Sequence, residues 1–294
     1  MMSWQPDAPN PCVPERLQGI CKYYGTWTFS NTCWSGCPYC IVNAKRGDVV
    51  RRDWTYEQAI AGWRNVAEKY GPWQILLSGR EPLEELPLIA ELLKYHYASC
   101  STNLMVNEDA LKYAVPAERL EIHASFHPVW ADRFDDFLAK LLRLRDHGFP
   151  VLLVAFVGWP PMLKHWDEWI PRVREAGIMP NPVPCRGTTA IYQGRQLPEQ
   201  YTDEEREIVM RHTFSDLFAE DCTLRPKPLK ACAAGVATAS VSFDGEIRRC
   251  ISLPGYMDGQ NLYRDGTLTL LDEPLPCPQD RCYCTNLHPY HITE

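Results

Sequence analysis

The run Phe29-Ser30-Asn31-Thr32-Cys33-Trp34-Ser35-Gly36-Cys37-Pro38-Tyr39-Cys40 decides how the rest of the chain is read. Its cysteines are spaced C-x3-C-x2-C and follow a short apolar run, Gly25 to Phe29, that reads as a first strand. Three thiolates on one short loop can hold three irons of a cubane cluster. The fourth iron is then left without a protein ligand, and an open position on a metal is where chemistry happens, as at catalytic zinc. Cys37-Pro38-Tyr39-Cys40 alone also reads as a glutaredoxin-type redox pair or as half of a zinc site. A glutaredoxin would be far shorter and has no need of Cys33. A zinc site needs a fourth ligand nearby, and the next Cys or His after Cys40 is His96.

Outward from this loop, short apolar runs alternate with helical patterns. Strand-like runs occupy Trp73 to Leu77, Ala98 to Thr102, Leu120 to Ser125, Pro150 to Val157 and Ile178 to Pro184. Between them lie helical periodicities at Thr55 to Tyr70, Leu86 to Tyr97, Asp132 to His147 and Leu163 to Ala176. His147-Gly148 and Ala176-Gly177 are helix-ending signals just ahead of strands. This alternation predicts an α/β fold with a parallel sheet, a partial six-stranded (β/α) barrel. A full eight-stranded barrel needs more chain than precedes the C-terminal cysteines. The expected division is an N-terminal arm at 1–22, the partial barrel at 23–218, and a small C-terminal domain at 219–294. A polar helix is expected over Asp203 to Phe218, then a Pro226-Lys227-Pro228 linker. A hairpin from Ala237 to Ile251 turns at Asp244-Gly245.

The cysteine triplet, with an aromatic residue, Tyr39, before its third member, resembles the motif of the radical SAM superfamily. The resemblance covers roughly Gly25 to Pro184. It implies a [4Fe-4S] cluster on Cys33, Cys37 and Cys40, with S-adenosylmethionine (SAM) chelating the open iron. Reductive cleavage of SAM then yields a 5′-deoxyadenosyl radical that removes a hydrogen atom from the substrate. Ser78-Gly79-Arg80-Glu81-Pro82 is similar to the family's G-G-E-P segment, which implies that Gly79 and Glu81 hold the SAM amino group. Arg80 stands where the second glycine is expected. Thr102-Asn103 matches a Thr-Asn pair, and Ser125 a serine near the SAM ribose or carboxylate.

From residue 232 onward the chain carries five cysteines, Cys232, Cys250, Cys277, Cys282 and Cys284. Cys232, Gly245 and Cys250 form a C-x12-G-x4-C pattern that resembles the opening of the auxiliary-cluster domains called SPASM and twitch. The resemblance implies one auxiliary [4Fe-4S] cluster on Cys232 and Cys250, completed by two of Cys277, Cys282 and Cys284. A structural zinc site could use the same thiols.

The 294 residues are 45% hydrophobic and 23% charged, as in an ordinary globular protein, and the net charge of −7 argues against a nucleic-acid partner. No signal peptide opens the chain, and the most apolar stretch, Val151 to Val157, is too short to cross a bilayer, which needs about 20 residues. A cytoplasmic setting follows, where thiols stay reduced and 13 clustered cysteines point to metal or catalysis rather than disulfides. A reducing partner such as flavodoxin or ferredoxin is implied by the resemblance. So is a small sugar- or aminocyclitol-like substrate, since the N-terminal arm has no room for a leader-peptide module. Epimerisation would need a hydrogen-atom donor, for which Cys185, after the sixth strand, is the candidate and Cys222 the second. Dehydrogenation would instead send an electron to the auxiliary cluster, with His123 or His127 as base. A peptide-modifying maturase and a non-enzymatic iron–sulfur or zinc scaffold are the remaining alternatives.

Overall fold

A computed structural model describes residues 10, 12–30, 32–41, 47, 49–212, 231–250, 257, 259–276 and 291–292. The six strands fall where the apolar runs place them: β1 (Tyr23–Ser30), β2 (Trp73–Gly79), β3 (Tyr97–Thr102), β4 (Leu120–Phe126), β5 (Val151–Gly158) and β6 (Met179–Pro184). They pair in parallel and in sequence order. Helices intervene: α1 (Tyr56–Tyr70), α2 (Leu86–Leu92), α3 (Glu108–Ala114), α4 (Phe134–Asp146), α5 (Pro160–Leu163) and α6 (Trp166–Glu175). Thr55 closes the first turn of α1 in a reciprocal capping box with Gln58, and Asn107 caps α3 through Ala110 N–H. The helical pattern expected to run to Tyr97 ends sooner, because β3 takes over at Tyr97.

Side chains alternate across each strand. On the helix side, Trp27, Phe29, Ile75, Leu77, Ile122 and Phe126 are fully buried. Phe126 packs edge-on against Phe134 and Phe137 of α4 and Trp169 of α6. Burial of each such side chain contributes about 2 kcal/mol. The opposite, inner face is half-buried and mixed, with Thr26, Thr28, Ser78, Ser101, Ser125 and Asn181 set among Leu76, Leu153, Val157 and Val183. One strand set thus makes a helix-backed core on one face and a half-buried face bearing several hydroxyls on the other.

The sheet stops at β6 for a reason written in its sequence. Asn181 and Val183 pair with Ala155 and Val157 of β5, so Pro180, Pro182 and Pro184 turn their nitrogens outward. Proline has no N–H, and a seventh strand would find no donors there.

On the other edge, the expected hairpin forms between β10 (Thr238–Val241) and β11 (Ile247–Arg248). Gly245 takes φ +85° in its turn, where a Cβ would stand 2.4 Å from Tyr263. The hairpin does not stand apart from the barrel. β10 pairs in parallel with β1, giving an eight-stranded sheet of order β11-β10-β1-β2-β3-β4-β5-β6. A short helix, α8 (Leu262–Asp265), packs against α1, and Trp27 Nε1–H donates to Tyr263 Oη at 2.7 Å. Residues 187–202 contain a two-stranded ribbon of β7 (Ile191–Tyr192) and β8 (Arg195–Gln196). The polar helix, α7, runs from Asp203 to His212. Cys232 lies in β9 (Ala231–Cys232), which pairs with β12 (His291–Ile292). The Pro226–Pro228 linker, Cys222, Cys277, Cys282 and Cys284 lie outside the described residues.

Candidate active site

The cysteine triplet follows the carboxyl end of β1, where parallel α/β folds place their chemistry. Its loop is tied down from several sides. Cys40 N–H donates to Cys37 O at 3.1 Å, Gly47 N–H to Cys33 O at 3.0 Å, and Thr189 Oγ1 to Cys40 O at 2.9 Å. Burial and repulsion from Cys33 and Cys40 push the Cys37 thiol up to about 12, which places the three sulfurs in one electrostatic neighbourhood. Such a site favours whatever neutralises clustered thiolates, as iron does. Among the described residues no group of three or more His, Cys, Asp or Glu side chains closes on a single ion.

Behind the triplet the ends of β1, β2 and β3 are stitched together through Glu81. This side chain is 1% exposed. It accepts from Thr102 Oγ1 at 2.7 Å, Asn103 N–H at 2.7 Å and Leu83 N–H at 3.2 Å. Its backbone N–H and C=O both engage Ser30 Oγ, at 3.1 and 2.7 Å. Asn103 carries the network to the loop, its Nδ2 donating to Ser35 Oγ at 2.6 Å and lying 3.7 Å from Cys33 Sγ. Burial pushes the Glu81 carboxyl up to about 7 against the opposing pull of its donors. Gly79 has φ +128°, and a Cβ there would meet Ser30 N at 3.1 Å, so glycine is required. Arg80 keeps a negative φ, and the strand end needs no second glycine.

Tyr39 is buried, its ring centroid 5.3 Å from that of Trp159, and its hydroxyl lies 2.9 Å from His127 Nδ1. Burial and the neighbouring Cys37 and Cys185 push its phenol well above the usual range. Cys185 lies close to the triplet loop, since Gly187 stands against Ile41 and Thr189 bonds Cys40 O. It is 0% exposed, its thiol pushed up to about 12 by burial, and its backbone N–H donates to Tyr201 Oη at 2.8 Å. His127 keeps some exposure, yet burial lowers its pKa to about 4, so its imidazole is neutral near pH 7.

By shape the chain is similar to native anSMEcpe with bound AdoMet, with a TM-score of 0.55 and 13% identity over 82% of this chain and 78% of that one. It is similar to anSMEcpe with bound AdoMet and Cp18Cys peptide, with a TM-score of 0.53 and 14% identity over 82% and 77%. It is similar to SuiB of Streptococcus suis bound to S-adenosylmethionine, with a TM-score of 0.54 and 15% identity over 83% of this chain and 64% of that one. The chain shares the fold of these AdoMet-bound structures. No protein-family model matches the chain, and no curated protein matches its sequence.

Within this fold the residues picked out by sequence divide by position. The triplet, Tyr39, Gly79, Glu81, Asn103 and Cys185 gather at the carboxyl ends of the strands. Thr102 sits there too, but faces the helix side and is spent on Glu81. Ser125 is half-buried on the inner face. His123 does not stand at a strand end: it is the fourth residue of β4, bound to Glu121 at 2.7 Å. His127, just past β4, is the histidine near the triplet. Cys232 and Cys250 come together in one cluster with Ala233 and Ala234. Cys12, grouped by sequence with the N-terminal arm, packs against the same cluster. Arg249 is fully buried there, donating to Ala234 O at 2.6 Å, Cys232 O at 2.8 Å and Pro276 O at 2.9 Å. Sequence reasoning missed Ser30, Ser35 and Thr189 as braces of the loop. Ser30, at the strand end just before the triplet, was the signal available. Among the described residues no helix is long and apolar enough to cross a membrane.

Proposed function

We propose that this chain is a radical SAM enzyme acting on a small, polar, sugar- or aminocyclitol-like metabolite, and that the reaction is an epimerisation. The supporting observation is the convergence of three thiols on one braced loop at the carboxyl end of β1, joined to Glu81 through Asn103. Cys33, Cys37 and Cys40 would hold a [4Fe-4S] cluster. With SAM bound, that centre supplies a 5′-deoxyadenosyl radical able to take a hydrogen atom from the substrate. Tyr39 and the backbone around Gly79 border the space for SAM, while Glu81 keeps the three strand ends in register. The hydroxyls of the inner face offer donors and acceptors to a polyhydroxylated substrate. Cys185 would return a hydrogen atom from its weak S–H bond to the opposite face of the substrate radical. The resulting sulfur radical regains its thiol by taking one electron from a reducing partner, such as flavodoxin or ferredoxin, and one proton. Cys232 and Cys250, with two of Cys277, Cys282 and Cys284, would hold a second [4Fe-4S] cluster.

Anaerobic reconstitution with iron, sulfide, SAM and dithionite tests this. The chain is expected to bind iron and form 5′-deoxyadenosine, and Cys33→Ala to abolish both at the first site. Failure of the reconstituted chain to form 5′-deoxyadenosine refutes the reading. With substrate, carbon-bound deuterium from solvent, lost in Cys185→Ala, marks epimerisation. A product lighter by two hydrogen atoms marks dehydrogenation instead, with neutral His127 as the base. A second reading, a peptide substrate, draws on the similar structure that holds a peptide beside AdoMet.

A further inference from the structure

At the amino-terminal end of the strands, away from the triplet, the inner face opens into a cavity of about 620 Å³. That is within the ~300–1,000 Å³ of small-molecule sites. Gln74, near the start of β2, is five residues from Gly79 at its far end, about 16 Å of strand. The N-terminal arm walls the cavity with Pro14 and Arg16; Gln74, Ser99, Glu121 and His123 supply its polar groups. Pro150, Val151 and Leu152 give it an apolar side.

Its one buried carboxylate, Glu121, is already matched. Arg16 lies 3.2 Å from Glu121, and His123 Nε2 lies 2.7 Å from the same carboxylate. Among the described residues that line the cavity, no buried charge is left unmatched to recruit an ion. Gln74 is different: it is 1% exposed, and neither its Oε1 nor its Nε2 has a hydrogen-bond partner among the described residues. In register across the sheet, Gln74 pairs with Tyr24 and Tyr24 with Thr238, whose buried hydroxyl is also without a partner. Buried polar groups are nearly always paired, because leaving them dry is costly. An amide with donor and acceptor both open, beside matched charges and an apolar wall, suits a partner that donates and accepts without net charge. A hydroxyl does both.

We propose that this cavity binds a neutral, polyhydroxylated small molecule through the Gln74 amide and the Ser99 hydroxyl, at a site separate from the radical centre. The test is calorimetric titration of the reconstituted full chain with myo-inositol and ribose, with inorganic phosphate as a counter-probe. A polyol is expected to bind one to one and phosphate not to bind. Gln74→Leu and Ser99→Ala should each weaken polyol binding at least about tenfold, near the cost of one lost hydrogen bond. Gln74→Leu should leave the melting temperature of the unliganded chain level or higher, since it removes an unpaired buried amide. Cys33→Ala should bind polyol like the wild type, so the two readings fail separately. Heat from phosphate alone, lost in Arg16→Ala, overturns the proposal in favour of an anion site. Lowered stability with unchanged polyol affinity in Gln74→Leu makes Gln74 structural and overturns it. Absence of binding by either polyol overturns it as well.

Discussion

Glu81 concentrates the logic of this site in one side chain. A carboxylate that resembles a SAM contact in sequence is, in the fold, also the acceptor that satisfies Thr102, Asn103 and Leu83 at once. Removing it strands three donors in a place without water. Glu81→Ala is therefore expected to lower the unfolding free energy by about 3 kcal/mol, measured by urea denaturation of the chain without cofactors. A loss below about 1 kcal/mol would mean that the strand ends hold without it. Asn103 is the next link, and its contacts with Ser35 and Cys33 explain why a residue of β3's end bears on the triplet loop.

Individual elements carry their own tests. His96, just before β3, is fully buried; its Nδ1 accepts from Trp73 N–H at 3.0 Å while its Nε2 faces Trp63 O at 2.8 Å. It thereby joins α1, β2 and β3 in one neutral tautomer. Burial lowers its pKa from 6.5 to about 4. The unfolded chain binds this proton more readily, so the contribution is full above pH 6.5 and is lost as pH falls through about 4. The loss amounts to about 3 kcal/mol. Equilibrium unfolding between pH 7 and 4 should show it in the wild type and not in His96→Gln; parallel curves would refute it. At the sheet edge, Pro182→Val restores an outward N–H to β6. Monomer stability is expected to change little, while light scattering shows more self-association, because an unblocked edge strand recruits another. Unchanged scattering would move the block to the neighbouring prolines.

Over the whole molecule, the β10–β11 hairpin and α8 are not an appendage. β10 extends the sheet beyond β1, and α8 covers α1, so Trp27 and Tyr263 meet across more than 230 residues of chain. A chain ending at residue 212 exposes β1 as a bare edge and should aggregate, seen as loss of the monomer peak in size-exclusion chromatography. A soluble, cooperatively melting fragment would show that the barrel is self-sufficient. Much of this architecture was legible in the residues. The alternation of apolar runs and helical periods located six strands, because strand and helix patterns are local. The prolines of β6 end the sheet by a covalent property, the missing N–H. The C-x3-C-x2-C spacing put three thiols on one loop, since eight residues cannot spread far. What lay beyond sequence were the long-range meetings: the hairpin joining β1, Cys12 reaching the Cys232 cluster, Cys185 beside Tyr39, and His127 rather than His123 near the triplet. Those depend on register and on which strand face a side chain takes, and a shift of one residue reverses every face. Local spacing therefore determined the chemistry available to this protein, while tertiary packing decided which residues share a site, because proximity between distant segments is fixed only when the core closes.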